Sequence, residues 1–222
     1  MSALRGICPN KFGPTKLGPT EEVLMESTFL AWMFRMPLIK RWALMYCVKA
    51  ENIAEHSHQV AIVAHLLAVI KNKKFNGNLN ADRAATIALY HEASETRYGD
   101  IVSPTKYANE EIAFEFKKIE ALAEQECLDA LPEELRDVFE DLIIQDNVDS
   151  EYKGIVKAAD IMVAYVKSLD ELNHNNPEFK HVEQRLKTKL DQLSETMPEV
   201  EYFMTTFLRF CTATVDKLSK HN

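Results

Sequence analysis

The 222-residue chain contains no C-x-x-C pair. Its four cysteines, Cys8, Cys47, Cys127 and Cys211, are scattered, which excludes a zinc ribbon or a thioredoxin-like motif. They read as reduced thiols of a cytoplasmic protein. No apolar run approaches the ~20 residues that span a bilayer. The longest, Val60 to Ile70, is interrupted by His65 and reads as a buried helix. No apolar block opens the chain, so no secretory signal is expected. Positive charge is not in excess: the formal net charge is -8. That argues against binding a nucleic acid polymer. It leaves room for a small anionic substrate, because a few local cations and a metal can dominate a site. Glycine is scarce, with 6 in the chain, and no alternating pattern persists, so no sheet is expected.

What is present is helical periodicity behind a short lead-in. Residues 1–22 hold Gly6, Gly13, Gly18, Pro9, Pro14 and Pro19 and read as a flexible segment. Residues 23–222 read as one domain. The periodicity predicts helices over Glu26–Phe34, Ile53–Lys73, Ala81–Arg97, Lys106–Cys127, Pro132–Ile144, Glu151–Leu172, Pro177–Leu193 and Pro198–Leu218. Asn80 suits an N-cap and Gly99 a C-terminal exit. Pro132, Pro177 and Pro198 suit first-turn positions. The expected fold is all-α, a single-domain bundle of about seven or eight helices.

Three short segments place ionisable groups against apolar runs. In Tyr90-His91-Glu92-Ala93-Ser94-Glu95, Glu95 lies one helical turn beyond His91 and Glu92 sits beside them. Such groups beside a core are costly unless a cation compensates; the plain alternative is a solvated face. His56 opens the long apolar helix, where it can face a metal without interrupting the core behind it. His58, about 200° round the helix, reads as surface, and His65, about 180° round, as a satisfied core histidine. Asp160 is a lone carboxylate within Lys157-Ala158-Ala159-Asp160-Ile161-Met162. Aspartate is rarely buried unpaired, which favours a ligand or an ion pair over a cap. Two imidazoles and two carboxylates suit one borderline divalent metal.

These segments in this order resemble the HD superfamily of metal-dependent phosphohydrolases. Arg41-Trp42-Ala43-Leu44-Met45, Glu51-Asn52, Glu55-His56-Ser57, Ala93-Ser94-Glu95, Gly99-Asp100, Ser103-Pro104, Lys106-Tyr107 and Lys157-Ala158-Ala159-Asp160 are similar to the bacterial 5'-deoxynucleotidases of the YfbR type, from about Phe29 to Phe207. The resemblance implies a dimeric all-helical enzyme that cleaves deoxyribonucleoside 5'-monophosphates. It implies one divalent metal per subunit, with cobalt favoured in vitro and Mn, Ni, Zn, Fe or Mg as others. It makes His56, His91, Glu92 and Asp160 the metal ligands, with Arg41 orienting the phosphate and Glu95 handling the nucleophilic water. Trp42 would select deoxyribose, and Asp100, Ile101, Val102, Ser103 and Lys106 would contact the nucleotide, as would His56. The chain departs from that pattern at Glu92, where the family has aspartate, and at Val102-Ser103, where proline and threonine are usual. Arg97 and Tyr98 are also unusual there and can add a contact of their own.

Two other readings follow from these departures. One is an HD-type triphosphohydrolase of a deoxynucleoside triphosphate, for example a dATPase. The other is a weakly active nucleotide-binding protein, because the extra methylene of Glu92 moves a carboxylate in a positioned site.

Overall fold

The computed structural model describes residues 26–220. In chain order its helices are α1 (Phe29–Met33), α2 (Ile53–Lys74), α3 (Ala81–Tyr90), α4 (Glu95–Tyr98), α5 (Ser103–Lys106), α6 (Glu110–Asp129), α7 (Glu133–Ile143), α8 (Ser150–Asn173), α9 (Lys180–Ser194), α10 (Pro198–Thr206), α11 (Leu208–Cys211) and α12 (Val215–Ser219). Single 3-10 turns lie at Met36–Leu38 and Pro177–Phe179. Seven helices have nine residues or more, and no strand is present among the described residues. The all-α expectation holds. The lead-in at residues 1–22 and Cys8 lie outside the described residues.

Local chemistry sets the helix starts. Asn52 caps α2 with a reciprocal capping box: its side chain accepts the Glu55 N–H at 3.0 Å, and the Glu55 carboxylate accepts the Asn52 N–H at 3.3 Å. Asn80 caps α3 by accepting from Arg83 N, as expected. Asn109 caps α6 by accepting from Ile112 N, which is why that helix begins at Glu110 rather than Lys106. Pro132 is the residue before α7, not its first turn, whereas Pro177 and Pro198 do open their elements.

The core lies where α2, α3 and α8 pack together, closed by α9 and α10. Ala64, Leu67, Ala84, Ala88, Ala158, Ala159 and Leu190 are fully buried there. The small alanines let the helix axes approach, while Leu67, Ile87 and Met162 fill the space between them. A second cluster forms round Phe29, Cys127, Leu128, Leu131 and Ile143, with Tyr90 and Phe139 edge-on at 5.7 Å. By length and composition α2 is apolar enough to cross a membrane, but half of its most apolar window is buried by its neighbours.

Two predicted helices are divided. Ala81–Arg97 stops at Tyr90, turns through residues 91–94 and resumes at Glu95. In that turn Ala93 N bonds Tyr90 O and Glu95 N bonds Glu92 O, a tighter winding than the α-helix. The Ala93 carbonyl is taken by the Thr96 hydroxyl at 2.7 Å and the Cys127 thiol at 3.5 Å. The break is thus held by a thiol from α6, which local periodicity does not contain. Pro198–Leu218 divides at Phe207 and again at 212–214, where Asn173 of α8 donates to the Thr212 hydroxyl. His65 is not a core histidine: its side chain is 45% exposed and faces Asp82 at 3.4 Å. His58 is exposed, as expected.

Candidate active site

The segment before α2 turns sharply and then pairs with itself. Lys40 and Asn52 form an isolated antiparallel bridge. Arg41 N donates to Glu51 O at 3.0 Å, and Ile53 N to Ile39 O at 3.1 Å. Between them Trp42 and Leu44 have φ of 59° and 70°, left-handed values that cost non-glycine residues energy. The buried pair Lys167–Glu171 holds this turn in place. Glu171 accepts the Val48 and Lys49 N–H groups and the Asn176 amide, while Lys167 donates to Glu171 and to the Lys49 carbonyl. Four bonds to one carboxylate hold Glu171 down at a pKa of about 2, against the opposing effect of burial.

The turn delivers Arg41 to the mouth of a cluster of ionisable groups. Its Nη1 donates to Glu92 Oε1 at 3.3 Å, and its Nε lies 3.4 Å from Glu51 Oε2. Glu51, 7% exposed, also accepts the Trp42 indole N–H. His56 comes from the first turn of α2 and is fully buried. Its Nε2 lies 3.2 Å from Asp160 Oδ1 and 3.9 Å from Glu92 Oε1. His91, at the end of α3, donates from Nδ1 to the Ala88 carbonyl at 2.6 Å, which leaves Nε2 as the free lone pair, 3.3 Å from Glu92 Oε1. Asp160 projects from the middle of α8 and accepts from Lys157 Nζ at 2.8 Å. One donor atom from each of His56, His91, Glu92 and Asp160 lies within 4.8 Å of the others.

The charge states follow from these neighbours. Burial lowers the pKa of His56 and outweighs Asp160, so the ring is neutral at pH 7. Burial would raise Glu92 and Asp160, but His91 and Arg41 bring Glu92 down to about 2, and His56 and Lys157 hold Asp160 well below the usual carboxylate range. His91 is raised: burial opposes it, and Glu92 and Asp160 overcome the burial. Glu95 goes the other way. Burial, then the Glu92 and Asp100 carboxylates, push it up to about 10. Burial likewise raises Asp100, against Arg41.

A cavity of about 730 Å³ opens on this cluster, lined by Arg41, His91, Glu92, Glu95, Asp100, Ile101, Ser103, Lys106 and Asp160, among others. His56 closes it from behind. The matching family model is the YfbR-like 5'-deoxynucleotidases, over residues 28–211. The chain belongs to this family. A 5'-deoxynucleotidase of Vibrio cholerae is 49% identical over 196 residues, 88% of this chain and all of that one. The Escherichia coli 5'-deoxynucleotidase YfbR is 46% identical over 197 residues, 89% of this chain and 98% of that one. In fold, an HD-domain phosphohydrolase from Listeria innocua aligns with a TM-score of 0.73 at 19% identity, covering 86% of this chain and 92% of that one. A cyanophage S-2L HD phosphohydrolase, solved with dA and one catalytic zinc ion, aligns at 0.54 and 18%, covering 81% and 95%.

Within this family member, two residues singled out from sequence lie off the cavity wall. Trp42 packs edge-on against Phe179, ring centroids 5.2 Å apart, and stacks on the Arg41 guanidinium. Val102 is also absent from the lining. Of the two unusual residues Arg97 and Tyr98, only Tyr98 reaches the cavity. Arg97 stacks on Trp32 at 4.1 Å and bonds the Glu126 carbonyl. His91 and Glu95 both line the cavity, although no continuous helix joins them. Three site residues escaped the sequence reading. Lys157 lies one turn before Asp160, an i,i+3 spacing that signals an ion pair. Glu51 and Glu120 carry no such signal. Glu51 meets Arg41 only through the bridge, and Glu120, from α6, meets Lys106 across the cavity.

Proposed function

We propose that this chain hydrolyses the 5'-phosphate of deoxyribonucleoside monophosphates, releasing deoxynucleoside and phosphate, with one divalent cation held by His56, His91, Glu92 and Asp160. The observation that carries the reading is the convergence of these four side chains in a member of a 5'-deoxynucleotidase family. The donor set fits a cation. Both ring nitrogens of His56 and Nε2 of His91 are buried without a hydrogen bond, a costly arrangement unless a ligand takes them up. Imidazole with carboxylate suits Co, Mn, Ni, Fe or Zn better than Mg, and cobalt is the metal to try first. The zinc and dA held by the cyanophage neighbour support the same pairing of metal and nucleotide. Bound there, the cation would lower the pKa of a water towards ~7 and offset phosphoryl charge.

The protein groups do the rest. Arg41, its guanidinium fixed by Glu51 and Glu92, presents a planar fork that orients the phosphate. Glu95 has a buried oxygen without a partner and sits on the same wall as Glu92. It accepts or relays a proton of the attacking water. Asp100, Ile101, Ser103 and Lys106 line the approach and contact the nucleotide. Trp42 favours deoxyribose from behind Arg41, through the turn that it anchors. The enzyme works as a homodimer in the cytoplasm.

A screen of dNMPs, NMPs and dNTPs with Co, Mn, Ni, Mg and Zn tests the reading. Phosphate released from dNMPs is the expected product. Tripolyphosphate released only from dNTPs would replace this reading with a triphosphohydrolase, and metal binding without any turnover would leave a nucleotide-binding protein. Sedimentation velocity tests the dimer.

A further inference from the structure

The cavity does not end at the cation group. It follows one face of α8 from Asp160 through Lys157 and Val156 to Lys153. Seven residues of helix make that run about 10 Å long, which leaves room beyond the phosphate for a sugar and a base. The polar groups along this part are already engaged. Lys106 is paired with Glu120, Glu124 accepts the Gln145 N–H at 3.0 Å, and Lys153 donates to the Gln145 carbonyl at 3.1 Å and faces Asp146 at 3.5 Å. The side-chain nitrogen of Gln145 is closed off from solvent. No free set of donors and acceptors is left to read the edge of a base.

Aromatic rings line the same space: Tyr98, Tyr107 and Phe116, with Ile101 beside them. Tyr107 is unlike the other two. It follows the single turn of α5 and is 64% exposed, although it lines a cavity. Its hydroxyl makes no hydrogen bond among the described residues. Lys106 Nζ lies 5.7 Å from its ring centroid. It is also near enough to Lys157 to help raise that amine's pKa, after Asp160 and Glu92, which places the ring within a nucleotide's reach of the cation group. An exposed ring on a cavity lip, without a partner for its face or its hydroxyl, is a platform for a flat apolar group. Base–aromatic stacking is worth enough to matter and tolerates any base, because every base has a π-face.

We infer that Tyr107 is the base platform of this site, with Phe116 and Ile101 beside it, so that the enzyme holds a nucleobase by its face rather than its edge and accepts all four. The inference rests on the proposed deoxynucleotidase reading and adds the part of the substrate that the phosphate chemistry does not touch.

The test compares dAMP with 2-deoxyribose 5-phosphate, which keeps the phosphate and sugar but lacks a base. It uses the metal-loaded full chain, as wild type, Tyr107→Phe and Tyr107→Ala. Tyr107→Ala should raise KM for dAMP about tenfold with kcat nearly unchanged, and leave the abasic substrate unaffected. Tyr107→Phe should behave as wild type. Equal losses on both substrates, or no loss on dAMP, would overturn the inference. Calorimetric binding of the same two ligands gives the comparison without turnover: wild type should bind dAMP more tightly, and equal affinities would overturn it as well. Failure to release phosphate from any dNMP would instead count against the deoxynucleotidase reading, and the binding comparison would still decide the role of Tyr107.

Discussion

Arg41 donates to Glu92 at 3.3 Å, so the residue placed to orient the phosphate shares a carboxylate with the proposed cation site. Its other flank rests on Glu51. Lysine would supply the charge but not the planar fork that meets Glu51 and Glu92 together. Arg41→Lys should therefore lower kcat/KM on dNMPs by about 10²-fold, the scale of losing one preorganised donor. Metal content should stay unchanged. Steady-state kinetics and elemental analysis of the same preparation check both halves.

Glu92 is the longer carboxylate where the family pattern has aspartate. Glu92→Ala removes one of four converging donors and should empty the site of cobalt on gel filtration, with turnover lost alongside. Glu92→Asp should keep the cation, because the charge and both oxygens remain, while the order of activity among Co, Mn and Ni changes. An Asp variant with the wild-type metal order would show that the extra methylene has no effect on the site.

Glu95 is buried beside Glu92, with one oxygen unpartnered. Glu95→Gln keeps the shape and removes the basic oxygen. It should cost at least about 10²-fold in kcat, the lower range for general acid–base groups, with little change in KM. Full turnover by the variant would remove Glu95 from the mechanism.

Trp42 lies behind Arg41, bonded through its indole to Glu51 and packed on Phe179. Trp42→Ala should raise the ratio of ribonucleotide to deoxynucleotide hydrolysis. Glu51→Gln should move the ratio in the same direction but less, because the packing on Phe179 survives. Both ratios come from paired assays on AMP and dAMP, and an unchanged ratio in Trp42→Ala would end its role in sugar selection.

The Lys167–Glu171 pair gives a pH-dependent stability. Glu171 titrates near 4.5 when unfolded and is held at about 2 in the fold. A depressed carboxylate stabilises the protein above the unfolded value and loses that contribution as pH falls from about 4.5 towards 2. Glu171→Gln strands Lys167 in the interior and should cost about 3 kcal/mol at pH 7, lowering Tm by about 6–12 °C. The gap in Tm between wild type and variant should be constant from pH 7 to 5 and begin to close below pH 4.5.

The sequence alone determined the helical class, most helix starts and the identity of the clustered ionisable residues. Those are local properties: period, caps at Asn52 and Asn80, and charges set in apolar runs such as Asp160. It did not determine the break after Tyr90, because the Cys127 thiol that bonds the Ala93 carbonyl comes from a helix more than thirty residues on. Nor did it place Trp42 off the cavity wall, reveal Glu51 as the brace of Arg41, or show that His65 faces solvent. Each of these depends on which chains of side chains meet across the fold. Periodicity reports the face of one helix, while contact between helices is decided by packing, and packing brought His56, His91, Glu92 and Asp160 within 4.8 Å of one another.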